Sequence, residues 1–134
     1  MRNFTMSNQE ETLIKIVTTA CNLTIEEIRS SSRSSNLVIA RGILGCMLKS
    51  ETGCTYKRAG ELVGRDHSSV ISYERKFKDN IRFYKKYRDI YNAVSEEYSS
   101  HYSDVSLDIM SKQILQIEQQ LEVLKKRQLS LMKN

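Results

Sequence analysis

Residues that interrupt helices are almost missing from this chain. It contains no proline and only five glycines among its 134 residues. Proline and glycine are the residues least compatible with a helix interior, so a sequence nearly free of them can form long helices. Apolar side chains that recur every three or four positions add to this signal. We therefore predict an all-α protein with one compact domain and an extension.

Two capping signatures mark where the first helices begin. Ser7 is followed three residues later by Glu10, and Thr24 is followed in the same way by Glu27. In this arrangement the hydroxyl and the carboxylate each accept a hydrogen bond from a backbone amide at the helix start. The first signature predicts a helix over about residues 8–21, and the second predicts a short helix or turn.

A serine-rich segment and a long apolar repeat follow. Residues 30–35 are all polar and predict a loop, in which Arg33 can reach a phosphate or a groove, although a solvated connection would look the same. The repeat predicts a central core helix over about residues 36–52. Arg41 and Lys49 lie eight residues apart in it, which places them near one helix face. We expect these two cations to share a partner surface.

The next segment has the pattern of a helix-turn-helix motif. Thr55 predicts the cap of a short helix over residues 56–63, and Gly64 predicts its end. Asp66 or His67 then predicts the start of a second helix. The exposed amides at the start of that helix would favour a phosphate group. In motifs of this kind the second helix enters the major groove of DNA.

Polar side chains around the start of this second helix match the chemistry of base edges. Arg65 can donate two hydrogen bonds to guanine, Asp66 can accept one from cytosine, and His67 offers a ring nitrogen or an apolar ring face. Ser68 and Ser69 are small enough for a close approach to the groove. A catalytic or metal site at Asp66 and His67 is disfavoured, because neighbouring helix residues point about 100 degrees apart and no third ligand lies nearby.

The charge distribution fits a nucleic-acid partner. The net charge is +5, and the positive charge is concentrated in residues 29–88, while the flanking segments are acidic on balance. A solvated basic face without a partner is the alternative. The sequence has no phosphate-binding loop and no nucleophile elbow, so we expect neither an enzyme nor a cofactor.

The cysteines and the hydropathy of the chain indicate the cellular compartment. Cys21, Cys46 and Cys54 form no C-x-x-C pair and leave an odd thiol, which argues against a disulfide framework and a metal site. No segment has the length and hydropathy of a membrane span, and the first residues lack a secretory signal. We expect a cytoplasmic protein in which Cys21 and Cys46 are small buried hydrophobes.

The segment from Glu11 to Phe77 resembles the C-terminal DNA-binding domain of the bacterial replication initiator DnaA. Its most specific part is GRDHSSV at residues 64–70, which is similar to the GGRDHTTV or GGRDHSTV signature of that family. Upstream, Arg33, Arg41 and the pair Ala59–Gly60 also align with the family pattern. The resemblance implies an all-α helix-turn-helix domain of the Trp-repressor-like type that recognises a short asymmetric box in double-stranded DNA.

The resemblance also implies roles for individual residues. Arg33 matches an arginine that enters the minor groove, and the four residues that begin at Arg65 match those that read base edges in the major groove. Lys49 falls where the family has a basic residue near the DNA backbone, and Lys57 and Arg58 add positive charge beside it. The residues that we expect against DNA are, in chain order, Arg33, Arg41, Lys49, Lys57, Arg58, Arg65, Asp66, His67, Ser68 and Ser69.

Two departures limit what the resemblance implies. Val63 and Gly64 stand where the family has two glycines, and the segment between Gly60 and Arg65 is one residue shorter, so the recognised sequence does not carry over. The sequence also lacks the motifs of the ATPase module that precedes this domain in the initiator. ATP-driven opening of an origin is therefore not expected.

A helical pattern continues beyond the resemblance. From Phe77 to Tyr98 it predicts one long helix, whose tyrosines favour packing against a neighbouring helix over stacking on single-stranded bases. Residues 99–103 predict an interruption, and apolar residues then alternate at gaps of three and four, as in a coiled coil. Leu107 and Gln128 belong to this seam. Its residues that we expect to mediate self-association are Met110, Ile114, Ile117, Leu121, Leu124 and Leu131.

The sequence thus predicts a DnaA-like helix-turn-helix domain over residues 7–98 and a C-terminal amphipathic helix over residues 104–132. A homodimer through that helix is favoured over a hairpin folded back within one chain. The predicted function is sequence-specific binding of double-stranded DNA, in replication or its regulation, by occupying a short site. Two alternatives stay open, namely a coiled-coil adaptor that docks on a replication protein and a binder of RNA or single strands.

Overall fold

Over the residues that the structure describes, the chain forms helices and no strands, which confirms the predicted all-α class. The structure is a computed structural model that describes residues 6–132, without the side chains of residues 102–108. The helices are α1 (Asn8–Cys21), α2 (Ile25–Arg29), α3 (Ser35–Thr52), α4 (Tyr56–Val63), α5 (His67–Phe83) and α6 (Lys85–Met132).

The first helices begin where the capping residues predict. Ser7 forms a complete capping box with Glu10, and Thr24 forms one with Glu27. Thr55 caps α4 through its hydroxyl. Each cap satisfies backbone amides that have no partner inside the helix, a contribution of about 1 kcal/mol. The predicted bounds of α1 are confirmed.

Helix α3 lies at the centre of the helix-turn-helix region. It packs against α1, α2, α4 and α5, and its residues from Ala40 to Leu48 are all buried. Burial of one large apolar side chain contributes about 1.5–3 kcal/mol, so this cluster holds the surrounding helices in place. The fully buried side chains from the neighbouring helices include Leu13, Val17, Ile28, Leu62, Val63 and Val70.

The single helix predicted from Phe77 to Tyr98 is wrong. Helix α5 ends at Phe83, Tyr84 has an extended backbone (φ −116°, ψ 102°), and α6 begins at Lys85. No proline or glycine marks this break in the sequence. The break accompanies packing, because residues of α6 that follow it are buried in the core.

Those buried residues are mostly tyrosines. Tyr87 is 3% exposed and Tyr98 is 6% exposed, while Tyr91 contacts the Phe77 ring edge-on with 4.9 Å between ring centroids. The interpretation of these tyrosines as packing residues is therefore confirmed. Tyr84 differs, with 62% of its surface exposed.

Helix α6 passes from one compact unit into another. We call them the N-terminal unit, which ends at Tyr98, and the C-terminal unit, which begins at Ser99. The predicted interruption at residues 99–103 is wrong, because these residues are helical. Serine lowers helix stability by only about 0.5 kcal/mol relative to alanine, and neither glycine nor proline occurs there.

The side chains of the C-terminal unit are exposed wherever the structure describes its apolar seam. Every residue from Ile109 to Met132 is exposed. Leu107 of the predicted seam lies outside the described side chains. Among residues 6–132, no helix is both long enough and apolar enough to cross a bilayer.

Candidate nucleic-acid interface

The turn between α4 and α5 depends on two glycines. Gly64 ends α4 with a φ of +73°, in the left-handed region where a side chain is strained. The amide of Arg65 donates a hydrogen bond to the carbonyl oxygen of Gly60 at 2.8 Å. A Cβ added at Gly60 would lie 2.6 Å from the Arg65 carbonyl oxygen, which is closer than such atoms approach. The two helices of the motif meet this closely because position 60 has no side chain.

Asp66 caps α5. Its Oδ1 accepts hydrogen bonds from the Ser69 amide (3.0 Å) and from the hydroxyls of Ser68 (2.7 Å) and Ser69 (3.1 Å). The Ser68 hydroxyl, followed by the Ser69 amide and hydroxyl, lowers the pKa of this carboxyl. The Ser69 amide, which the sequence predicts to be open to a phosphate, bonds this carboxylate instead. Asp66 therefore holds the start of the helix in place.

The first turn of α5 presents polar side chains outward. His67 and Ser68 are exposed, and Ser69 is half-buried. Val70, the next residue, is fully buried and anchors the helix in the core. Burial of Val70 thus holds the start of the helix on the core, while His67 and Ser68 stay accessible to a ligand.

Arg65 joins the turn to the serine-rich loop. Its side chain is half-buried and donates hydrogen bonds to the carbonyl oxygens of Gly64 and Ser30, both at 2.8 Å. A guanidinium has five N–H donors, and these bonds use two of them. The loop that begins at Ser30 also contains Arg33, whose side chain is exposed.

The expectation that Arg41 contacts a partner is wrong. Its side chain is 3% exposed, and the guanidinium donates to the carbonyl oxygens of Ile28 and Ser32 at 2.6 Å and of Ser30 at 2.8 Å. Burial, and then the nearby charge of Arg65, lowers the pKa of Arg41. Helical spacing alone does not reveal this burial, because α3 is covered on the Arg41 side as well as along its apolar stripe. Arg41 holds the serine-rich loop from within.

Arg29 gives a further link between the loop and the turn. Its Nε donates to the carbonyl oxygen of Leu62 at 2.9 Å. A Cβ added at Gly64 would lie 2.9 Å from the Arg29 Cα, so the turn rests directly on the end of α2. We call the side chains of Arg33, Arg65, His67 and Ser68 the recognition surface. Its two parts, the loop and the start of α5, are connected by backbone contacts, by buried Arg41 and by half-buried Arg29 and Arg65.

The other predicted cations differ in how free they are. Lys49 is half-buried, with Nζ 3.0 Å from a backbone carbonyl oxygen and 4.5 Å from the centre of the Tyr56 ring. Arg58 forms an ion pair with Glu10 at 3.0 Å. Burial alone would raise the pKa of Glu10, but the bonds from Arg58 and Ser7 outweigh it and lower that pKa. Lys57 is exposed.

No metal site appears in the described part of the chain. Residues 6–101 and 109–132, whose side chains the structure describes, contain no group of three or more His, Cys, Asp or Glu side chains placed to hold an ion. All three cysteines are free thiols. Burial raises the pKa of Cys46 to about 12, so this thiol is held in its protonated form.

Sequence reasoning missed the positioning arginines. Arg41 bonds carbonyl oxygens of the loop and Arg29 bonds that of Leu62 in α4, and a contact with the backbone leaves no motif. One signal was available for Arg41, because it stands inside an uninterrupted apolar stretch that begins at Leu37. A cation in such a place is buried only when hydrogen bonds surround it.

A short helix, a glycine turn and a second helix with an exposed polar first turn define a helix-turn-helix domain. Residues 11–76 match the family described as bacterial dnaA protein helix-turn-helix. The predicted resemblance is confirmed over that segment, which makes up just under half of the chain.

Individual relatives agree with the family match. The chromosomal replication initiator protein DnaA of Kosmotoga olearia is 27% identical over 73 residues, or 54% of this chain. The protein of the same name from Corynebacterium jeikeium is 28% identical over 93 residues, or 69% of this chain. The matched region covers 16% of each relative, so most of each initiator lies outside the comparison.

Proposed function

We propose that this protein binds double-stranded DNA at a specific sequence. The start of α5 enters the major groove, and Arg33 enters the adjacent minor groove. The observation that carries the proposal is that His67 and Ser68 are exposed in the first turn of α5, while hydrogen bonds through Ser30 connect that turn to the Arg33 loop. The family match supports the same mode of binding.

The rigid connection between loop and helix explains how a small domain gains specificity. A ligand that meets preformed groups does not have to order them, so less binding free energy is lost. Each well-formed side-chain contact to a base edge discriminates by about 1–3 kcal/mol. Exposed Lys57 adds phosphate contact, which strengthens binding to all sequences alike.

The biological role that we propose is occupancy of a DNA site in replication or its regulation. The relatives are chromosomal replication initiators, and residues 11–76 match the dnaA helix-turn-helix family. The protein would act by covering its site, without catalysis, so it would block or recruit other proteins there.

Selection from random duplex DNA, with single-stranded DNA as competitor, tests this proposal. We expect one enriched sequence, and His67→Ala and Ser68→Ala should each reduce discrimination against random duplex by about 1–3 kcal/mol. Lys57→Ala should weaken binding to the selected and the random duplex alike. It should also lower the slope of log affinity against log salt concentration by about 1. Lys15→Ala, an exposed change on α1, is the control. If no sequence is enriched, or if single-stranded DNA competes as well as duplex DNA does, the protein does not recognise a duplex sequence.

We also infer that the C-terminal unit pairs with the same unit of a second copy. Eleven large apolar side chains between Ile109 and Met132 are more than half exposed. A helix gains most of its stability from packing an apolar face, and the three-and-four spacing of this face suits a coiled coil. Two linked domains would bind paired DNA sites with raised effective concentration.

Sedimentation at several protein concentrations tests this pairing. We expect a dimer that Ile117→Asp and Leu124→Asp dissociate, because a charge in the seam opposes pairing. Gln119→Asp, on the opposite face of the helix, should leave the dimer intact. A monomer at all concentrations would point to a partner protein or a hairpin instead.

A further inference from the structure

The N-terminal unit contains an open groove, and Arg33 is the one residue of its lining that the DNA-binding proposal uses. It has a volume of about 640 Å³ and lies between α3, α5 and the start of α6. Ile39 of α3 and the buried ring of Tyr87 line it. Tyr84, the extended residue between α5 and α6, lines it as well. The unpredicted break after Phe83 therefore contributes directly to this groove.

Exposed apolar surface in the N-terminal unit is concentrated at this groove. Among the described residues up to Tyr98, the large apolar side chains with high exposure are Val38 (49%), Phe83 (66%) and Tyr84 (62%). All three line the groove. Single exposed apolar residues are common, but three that converge on one concave site mark a place where another molecule binds.

The groove is also strongly basic. Its lining includes four cationic side chains and no carboxylate, and the cations are Arg33, Lys76, Lys85 and Lys86. A fifth cation lies close by, because the Arg82 guanidinium is 5.2 Å from the centre of the Phe83 ring. An occupant must therefore combine apolar groups with negative charge.

Two occupants fit this combination poorly. Duplex DNA supplies negative charge, but its phosphates and sugars would leave Phe83 and Tyr84 without an apolar partner. The C-terminal unit of a second copy supplies apolar side chains, but its segment 109–132 carries four basic and two acidic residues. That segment would bring like charge to a basic site.

An amphipathic helix with an acidic polar face fits both properties. Except for Arg33 and Tyr84, the lining residues lie in helices, so the groove offers no strand edge to which an extended peptide could hydrogen-bond. A helix satisfies its own backbone groups and can insert apolar residues between Val38 and Phe83. Its flanking carboxylates would then meet the lysines and Arg33.

We propose that this groove is the docking site for an acidic amphipathic helix of a partner protein. Arg33 lies both on the groove and on the recognition surface. A docked helix would therefore take Arg33 away from DNA, a consequence that rests on the proposed function. The docking itself does not depend on DNA.

The direct test uses a labelled probe peptide of 20 or so residues, with leucine and phenylalanine on one helical stripe and glutamate elsewhere. A peptide of the same composition in shuffled order is the control for simple charge attraction. Fluorescence anisotropy with the full chain, without DNA, should show binding of the amphipathic peptide and at least about tenfold weaker binding of the shuffled one. Equal binding of the two would overturn the proposal.

Variants then place the site. We expect at least about tenfold weaker binding of the amphipathic peptide in two variants. Phe83→Asp removes an apolar contact, and the pair Lys76→Glu with Lys85→Glu reverses charge at the rim of the groove. The pair Lys15→Glu with Lys57→Glu is the matched double charge reversal outside the groove and should change affinity less than about twofold. All of these positions are exposed, and thermal unfolding checks that each variant is folded. Unchanged affinity in the groove variants would overturn the assignment.

Two further measurements test whether a second copy of the chain or duplex DNA occupies the groove instead. If Phe83→Asp dissociates dimers of the full chain, a second copy occupies the groove and the proposal is wrong. If the same variant lowers the affinity for duplex DNA by as much as His67→Ala does, the groove is part of the DNA-binding surface and the proposal is also wrong. Loss of peptide binding with duplex affinity and mass unchanged is the expected result. Failure of DNA binding alone would leave peptide docking intact.

Discussion

The two compact units carry apolar residues at the same helical spacing but use them differently. In the N-terminal unit, Leu44 and the residues around it are completely buried. In the C-terminal unit, Leu124 is 58% exposed and its apolar neighbours are similar. Periodicity thus predicts a helix and its apolar face, but it does not say whether that face is covered by the same chain. A face left exposed indicates a need for a partner.

The largest expected effect contrasts these two leucines. Leu44→Ala should lower the free energy of unfolding by about 2–5 kcal/mol, because it leaves a cavity in the core. Leu124→Ala should change it by less than about 0.5 kcal/mol at concentrations where the protein is monomeric. Urea unfolding of both variants measures the difference. Similar losses in dilute solution would show that the seam is packed within one chain.

The next contrast separates a positioning arginine from a contact arginine. Arg41→Met should cost about 2–4 kcal/mol of stability, because several buried carbonyl oxygens lose a charged donor. Arg33→Ala should leave stability within about 0.5 kcal/mol and instead weaken duplex binding. Paired unfolding and DNA titrations check this. If Arg33→Ala destabilises the fold as much as Arg41→Met does, the division of roles is wrong.

A smaller loss is expected at the turn. Gly60→Ala places a Cβ against the Arg65 carbonyl oxygen and should cost about 1–3 kcal/mol. It should also reduce sequence discrimination, because α5 has to move relative to the loop. Unfolding and duplex titration of the same sample measure both effects. A variant with native stability and native discrimination would show that the close approach is not needed.

The smallest effect concerns the ion pair between α1 and α4. Since the pKa of Glu10 is lowered in the folded state, its contribution is fully present above the unfolded value of 4.5 and is lost as the pH falls through the folded value. Glu10→Gln should cost about 1 kcal/mol at pH 7 and flatten the stability profile below pH 4.5. Exposed Glu11→Gln is the control. An unchanged acid profile would show that the pair does not stabilise the fold.

Local signals explain what the sequence predicts well. Capping pairs, the glycine of the turn and the apolar repeats lie within a few residues of the feature they predict, so α1 and the turn at Gly64 appear where expected. The break at Tyr84 has no signal in the residues beside it, and it accompanies a contact between helices, that of Tyr87 in α6 with Phe77 in α5. A pattern of serines at residues 99–103 suggests a break where the helix continues.

The candidate site follows the same rule. The exposure of His67 and Ser68 follows from their place in the first turn of a capped helix, which the sequence shows. The burial of Arg41 follows from contacts with α2 and with the loop after it, which lie nine to fourteen residues away in the chain. The groove beside Phe83 combines three helices, and no single stretch of sequence contains its pattern.

One carbonyl oxygen, that of Ser30, accepts hydrogen bonds from both Arg41 and Arg65. Under the proposed binding mode, the bonds to this atom keep the distance between the minor-groove and major-groove contacts constant. One base pair adds about 3.4 Å and about 35 degrees of rotation along the duplex. A site lengthened by a single base pair between the two contacts would therefore satisfy only one of them, so spacing itself becomes part of what the protein reads.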